Sequence, residues 1–217
     1  VPKDIQNSMI IPDQEVSLNI AAYRGRLNQI EERELNDTEC KKFFKHLDQS
    51  ERPLLYVGGG VIAGEGSKSL RDFAEKFQIP IATTLMALGA SDTTKLLSLH
   101  MLGMHGTASA NYAVEDCDFL ITIGARFDDR VAGDPKGFAP NAKKIAHFDV
   151  DLSEIGKVKQ VDWYHIGNLK NDLKKLLEFG KKIDFEISLD AWHKHVAHLK
   201  DKYKLNYNRE SNLIQPY

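Results

Sequence analysis

The chain has 217 residues, 42% hydrophobic and 28% charged, which suits one sizeable core in an ordinary globular protein. Its 29 Lys plus Arg against 31 Asp plus Glu leave a formal net charge of -2, so charge offers no case for nucleic acid or an anionic membrane as partner. No apolar run approaches the roughly 20 residues of a membrane span, and no signal-peptide pattern opens the chain. The two cysteines, Cys40 and Cys117, lie far apart without metal-ligand spacing and favour reduced intracellular thiols.

Val1-Pro2-Lys3-Asp4-Ile5-Gln6 reads like a strand exit, and Asn212 to Tyr217 like a linker, so a piece of a larger chain is expected. Residues 1–35 form a polar approach segment in which Asp13 caps a helix through Val16, Ile20, Ala21 and Tyr23. Asn36-Asp37-Thr38 caps the next helix, with Phe43, Phe44 and Leu47 at helical spacing. Pro53 to Val57 is a short strand stopped by Gly58-Gly59-Gly60, and Gly66 to Phe77 an amphipathic helix with Leu70, Phe73, Ala74 and Phe77 on one stripe. Pro80 to Thr84 is a second strand, Thr107 to Cys117 a helix, and Phe119 to Gly124 a buried strand. Lys144 to Asp149 and a short run from Trp163 to Ile166 are further strands, and Asn168 to Phe179 is a helix with Leu169, Leu173, Leu176 and Leu177 on its apolar face. After a linker beyond Gly180, a last helix from about Asp190 to Tyr203 places Trp192, Val196 and Leu199 against this unit or a neighbour. Continuous apolar runs alternating with amphipathic helices predict an α/β fold: a doubly wound, Rossmann-like parallel sheet with helices on both faces.

Ligands of such sheets bind beyond the carboxyl ends of the strands. Gly58, Gly59 and Gly60 stand there, open to two readings: backbone N–H groups facing a phosphate, or a purely steric tight turn, since the dinucleotide fingerprint is not matched. Gly124-Ala125-Arg126-Phe127-Asp128-Asp129-Arg130 packs two arginines and two aspartates directly after a buried strand. Arg126 suits a ligand phosphate or ring edge and Arg130 a carboxylate, because guanidinium meets both bidentately; a solvated loop with internal ion pairs is the alternative. Asp149 suits a ribose hydroxyl or a simple turn cap. His105, between Gly103 and Gly106, suits binding or packing more than general base catalysis. His195 and His198 share a helix face, where solvated surface outweighs a metal site. Nucleophile elbow, P-loop, HExxH and a Gly-Asp-Gly metal–diphosphate segment are all absent, so no catalytic residue is assigned.

Pro53 to Gly60, Thr84-Leu85-Met86-Ala87-Leu88-Gly89, Leu102-Gly103-Met104-His105-Gly106-Thr107, Arg126-Phe127-Asp128-Asp129-Arg130-Val131, His147-Phe148-Asp149-Val150-Asp151 and Glu154-Ile155-Gly156-Lys157 occur in this order. As an ordered set they resemble the central domain of acetolactate synthase (acetohydroxyacid synthase), a thiamine-diphosphate enzyme of branched-chain amino-acid biosynthesis. The resemblance implies residues 1–35 as a linker from an N-terminal domain, 36–180 as an FAD-binding α/β domain, and 181–217 as the connection to a C-terminal domain. It implies FAD at Gly58, Gly59, Gly60, Thr84, Leu85, Met86, His105, Gly124, Ala125, Arg126, Asp149 and Val150, the flavin having no net redox role. Arg130, Met104 and Lys3 would face the second 2-ketoacid condensed with pyruvate. Thiamine diphosphate and Mg2+ would be held by the other two domains, so this chain alone is expected to be inactive. A homodimer or tetramer, a small regulatory subunit, and a cytoplasmic, plastid or mitochondrial location are likewise implied. The chain departs from the family pattern in lacking a proline within Ala90 to Lys95, and in carrying Asn168 where an acidic residue is common. Two other readings compete: a flavin-free structural spacer of another thiamine-diphosphate enzyme, and a free-standing nucleotide-binding module of sirtuin-like topology.

Overall fold

In the computed structural model of the chain, the described residues are 33–205 together with Glu210 and Leu213. The helix expected after Asp13, and Lys3, lie outside them.

The first helix, α1 (Asp37–Asp48), starts on a capping box: the Asn36 side chain accepts from Glu39 N, and the Glu39 carboxylate accepts from Asn36 N, both at 3.0 Å. It leads into β1 (Pro53–Val57), whose five residues are all buried. A single turn, α2 (Gly60–Ala63), and the helix α3 (Ser67–Phe77) follow, then β2 (Ile81–Thr83) and a 3-10 turn at Leu85–Ala87. Next come β3 (Ser98–Met101), α4 (Ala108–Asp116), the fully buried β4 (Phe119–Ile123), and a short turn of helix, α5 (Asp129–Ala132). The chain continues through β5 (Lys144–Asp149), a 3-10 turn at Leu152–Glu154, β6 (Trp163–Ile166), α6 (Leu169–Lys182) and α7 (Asp190–Lys202).

All strands pair in parallel, in the order β3-β2-β1-β4-β5-β6. This is a doubly wound sheet, as the alternation of apolar runs and amphipathic helices predicts. β3 is the strand that the sequence reading left out, along with the short turns of helix at Gly60–Ala63 and Asp129–Ala132 and the two 3-10 turns.

Register explains how each face is covered. Val57, Ile123 and Phe148 lie side by side and share a face with Phe119 and Trp163. Phe43 of α1 is the hub of that face, with ring centroids 5.4–6.2 Å from Phe44, Phe73, Phe119, Phe148 and Trp163. Tyr56, Thr122 and His147 are aligned on the opposite face, where the rings of Phe127 and Phe138 cover Tyr56. Helix α7 packs on α4, and its buried Trp192 donates Nε1 to Pro53 O at 2.9 Å. Its stripe therefore rests on this unit, one of the two placements its pattern allowed. Cys40 and Cys117 are both buried, free thiols.

One buried carboxylate ties the amino edge of the sheet together. Asp118 accepts from Ser50 Oγ at 2.5 Å, Glu51 N at 3.0 Å and Arg52 N at 2.9 Å. Burial alone would raise its pKa, but the Ser50 hydroxyl and the two N–H groups outweigh burial and hold it below the usual carboxylate range. A carboxylate depressed in the folded state contributes stability above its unfolded pKa, and that contribution is lost as pH falls through the folded value. Asp118→Asn is accordingly expected to cost about 1.5–3 kcal/mol at pH 7, since hydrogen bonds to a charged group are replaced by weaker ones. In thermal melts the gap to the unsubstituted chain narrows below about pH 4. A gap unchanged from pH 7 to the acid limit would show that the charge contributes nothing.

Candidate functional site at the carboxyl edge

Strand order reverses between β1 and β4, the point beyond whose carboxyl ends open parallel sheets bind their ligands. Two backbone segments cross there at close range. A Cβ added to Gly58 would come within 2.5 Å of Ala125 Cα, and one on Gly60 within 2.8 Å of Gly124 Cα. Gly124 also has φ +59°, which favours glycine. These close backbone approaches are what the steric reading requires of Gly58 and Gly60. The N–H groups of Gly58 and Gly60 donate within the protein, to Ile123 O at 2.8 Å and Gly124 O at 3.1 Å. Gly59 differs: its N–H has no partner among the described residues, and a Cβ there would meet Met86 Cβ at 2.9 Å. The crossing thus sets Gly59 against the Thr84–Met86 turn.

Arg126 projects from this crossing, exposed and with no side-chain hydrogen bond or ion pair among the described residues. The next residue explains the projection. Phe127 has φ +55°, a strained value for a bulky residue, and its ring is held 5.4 Å from Tyr56, 5.9 Å from Phe138 and 5.3 Å from His147. Pinning that ring inward turns its neighbour outward. Beneath it, burial foremost, with the nearby Asp128 charge, pushes the Tyr56 phenol up and keeps it neutral.

His147 and Asp149 brace the same crossing from β5. His147 Nε2 lies 2.9 Å from Ala125 O and 3.6 Å from Asp149 Oδ2, and both side chains are buried. Asp149 Oδ1 accepts from Asp151 N at 2.9 Å. Asp149 therefore performs the turn-capping role, and the rest of its carboxylate faces His147. Val150 beside it is half exposed.

The remaining candidates fall into two groups. Met104 and Arg130 come together through the backbone, Met104 N donating to Arg130 O at 2.9 Å. The Asp128 side chain accepts from Arg130 N at 3.1 Å and caps α5. Arg130 lies 3.9 Å from Asp129 with both side chains more than 70% exposed, an ion pair too solvated to hold either in place. His105 is exposed, so no packing role applies to it within the described residues. Asn168 caps α6, its side chain accepting from Lys170 N at 3.0 Å. His195 pairs with Asp116 at 2.7 Å, and among the described residues no group of three His, Cys, Asp or Glu is placed to hold a metal ion. Phe127 and His147 are the site residues that the sequence reading missed. A histidine inside a strand predicted to be buried was the available signal for the second.

Leu85, Met86 and Met104 are 65%, 73% and 66% exposed, which gives this edge an apolar surface suited to a ligand or partner. Residues 40–176 match the family described as thiamine pyrophosphate enzyme, central domain. The chain belongs to this family. Over 218 residues it is 41% identical to acetolactate synthase 2, chloroplastic, of Nicotiana tabacum, an alignment that takes in all of this chain and 32% of that protein. It is 45% identical over 170 residues to the acetolactate synthase large subunit of Parasynechococcus marenigrum, covering 78% of this chain and 27% of the relative. The Corynebacterium glutamicum large subunit is 38% identical over 218 residues, covering 100% of this chain and 34% of that one. This thiamine pyrophosphate enzyme central domain thus spans about a third of the length of the relatives it matches. Among its described residues no helix is long and apolar enough to cross a membrane.

Proposed function

We propose that this chain is the central domain of an acetolactate synthase catalytic subunit, that its carboxyl edge binds FAD, and that Arg130 and Met104 face the substrate channel. The supporting observation is the β1–β4 crossing. A glycine-only backbone approach, an unpartnered Gly59 N–H, an uncommitted Arg126 and the exposed Leu85 and Met86 meet at one strand edge. FAD is a long, amphiphilic dianion. Arg126 and the Gly59 N–H suit its pyrophosphate, Leu85 and Met86 its flavin chain, and the half-exposed Val150 its adenosine end, with Asp149 shaping the turn behind it. His105, Gly124 and Ala125 line the same edge. Gly58 and Gly60 contribute shape rather than donors.

In this reading residues 1–35 and 181–217 lead to neighbouring domains, and 36–180 form the flavin-binding unit. Lys3 joins Arg130 and Met104 beside the second 2-ketoacid, whose carboxylate the Arg130 guanidinium recognises. Thiamine diphosphate and Mg2+ belong to the neighbouring domains, which also supply the reacting groups. A homodimer or tetramer, a small regulatory subunit and a cytoplasmic or plastid location complete the proposal. Its supports are the acetolactate synthases among the relatives and the resemblance of the ordered strings to that family.

Titration with FAD, followed by flavin fluorescence and melting temperature, tests it. Saturable binding to the purified chain is expected, weakened about tenfold or more in Arg126→Ala, since a hydrogen-bonded charge contact is worth roughly 1.5–3 kcal/mol. Stoichiometric FAD in the full-length protein but none here would place essential contacts in the neighbouring domains. No flavin in either would leave a structural spacer and end the flavin assignment.

A further inference from the structure

The segment between β3 and α4 is built as a braced loop. Thr107 closes its base, donating N to Met101 O at 2.7 Å and Oγ1 to Leu99 O at 2.7 Å. Gly106 N donates to Gly103 O at 3.0 Å across the tip. One turn into α4, the Asn111 side chain reaches back and pairs with both polar groups of a single residue. Its Oδ1 accepts from Gly103 N at 2.7 Å, and its Nδ2 donates to Gly103 O at 3.0 Å. A carboxamide is the only short side chain with a donor and an acceptor side by side, so the two-point match is specific to Asn.

Gly103 is the joint between two loops. It has φ +94°, and an added Cβ would meet Arg130 O at 2.7 Å, so its backbone lies directly on the Arg130 peptide. The next residue, Met104, donates its N–H to that same Arg130 carbonyl at 2.9 Å. The Asn111 carboxamide therefore fixes the Gly103 peptide, Gly103 fixes the approach to Arg130, and the Met104–Arg130 bond locks the two backbones together. Neither the Met104 nor the Arg130 side chain is held by packing, at 66% and 73% exposed. What the bonds fix is the point at which each side chain leaves the backbone.

We propose that Asn111 is a positioning residue: it holds the 103–107 loop against the Arg130 peptide so that the Arg130 guanidinium and the Met104 thioether face the second 2-ketoacid at a set distance. The role rests on the reading of Arg130 and Met104 given above. Asn111 touches neither substrate nor flavin in this arrangement.

The test uses the full-length enzyme carrying Asn111→Ala, Asn111→Asp or, for reference, Arg130→Ala. Pyruvate and 2-ketobutyrate serve as second substrates, and hydrogen–deuterium exchange is followed over 101–107 and 128–133. In Asn111→Ala the KM for the second ketoacid rises about tenfold while kcat stays within about twofold, because binding geometry is lost without loss of a reacting group. Exchange increases in both segments, and bound flavin is unchanged. Asn111→Asp keeps the acceptor for Gly103 N but sets a second acceptor against Gly103 O, and gives at least the alanine effect. A raised KM in Arg130→Ala beside an unchanged KM or unchanged exchange in both Asn111 variants overturns the positioning role and leaves the site reading intact. An unchanged KM in Arg130→Ala overturns both.

Discussion

Phe43→Ala is expected to destabilise the domain by about 4 kcal/mol, the range for emptying a well-packed aromatic site. In a chain of this size that lowers the melting temperature by roughly 8–16 °C. The ring has no exposed surface and meets five others from two helices and three strands, namely Phe44, Phe73, Phe119, Phe148 and Trp163. Those partners are anchored on separate elements, so they cannot close together over the gap, and the loss carries a cavity contribution beyond simple transfer. Thermal melts and urea midpoints measure it. A loss below about 1 kcal/mol would mean that the hub collapses freely and that the aromatic cluster is not the centre of the core.

Gly58→Ala ranks next, at about 3 kcal/mol, the upper part of the range for overpacking. Its Cβ would meet backbone, Ala125 Cα at 2.5 Å, just beyond the ends of β1 and β4, and backbone tied to two paired strands cannot move aside as a flexible side chain can. On the proposed FAD reading, the same substitution weakens FAD binding more than its stability cost implies, because it pushes apart the Gly58–Ala125 crossing against which the ligand would lie. Gly89→Ala is the control. Gly89 has φ +91° and open space around it, so alanine there carries only backbone strain, on the order of 1 kcal/mol, and no steric clash. Equal costs at the two positions would show that conformational freedom, not the close crossing, explains the glycines at the sheet edge.

Much of this architecture is legible in the residues because the signals are local. Phe119 to Ile123 and Lys144 to Asp149 are strands whose apolar runs reflect burial on both faces; the second has the expected bounds, and the first stops one residue short of the expected Gly124. The helix expected from Gly66 to Phe77 begins one residue later, with Gly66 as its cap. Asn36 announces α1 through a capping box that needs only four consecutive residues. The candidate residues at Gly58–Gly60, Thr84–Met86, Gly124–Arg126 and Val150 follow strand ends, where loops carry chemistry on a rigid scaffold.

β3 shows where local signals stop. Ser98-Leu99-His100-Met101 has neither a continuous apolar run nor clean alternation, and His100 sits at φ +66°. It becomes a strand because β2 offers an unpaired edge, with a register shift between Ile81 and Thr83, and because Lys200 of α7 donates to the carbonyls of Lys95, Leu96 and Ser98 just before and at its start. No window of sequence contains those partners.

Amino-acid order therefore decided what is local: the alternation of strands and helices, the helix caps, and the residues able to sit at strand ends. Tertiary structure decided which of those residues are free to act. The N–H groups of Gly58 and Gly60 are consumed by the strands they join, Asp149 is half committed to a turn, and Arg126 is left uncommitted by an inward-pinned Phe127. Asn111, eight positions from Gly103 in the chain, clamps it only because the loop doubles back. The physical reason is common to all of these. A hydrogen-bonding group or a space can be used once, and only the assembled neighbours, many of them distant in sequence, determine how it is spent.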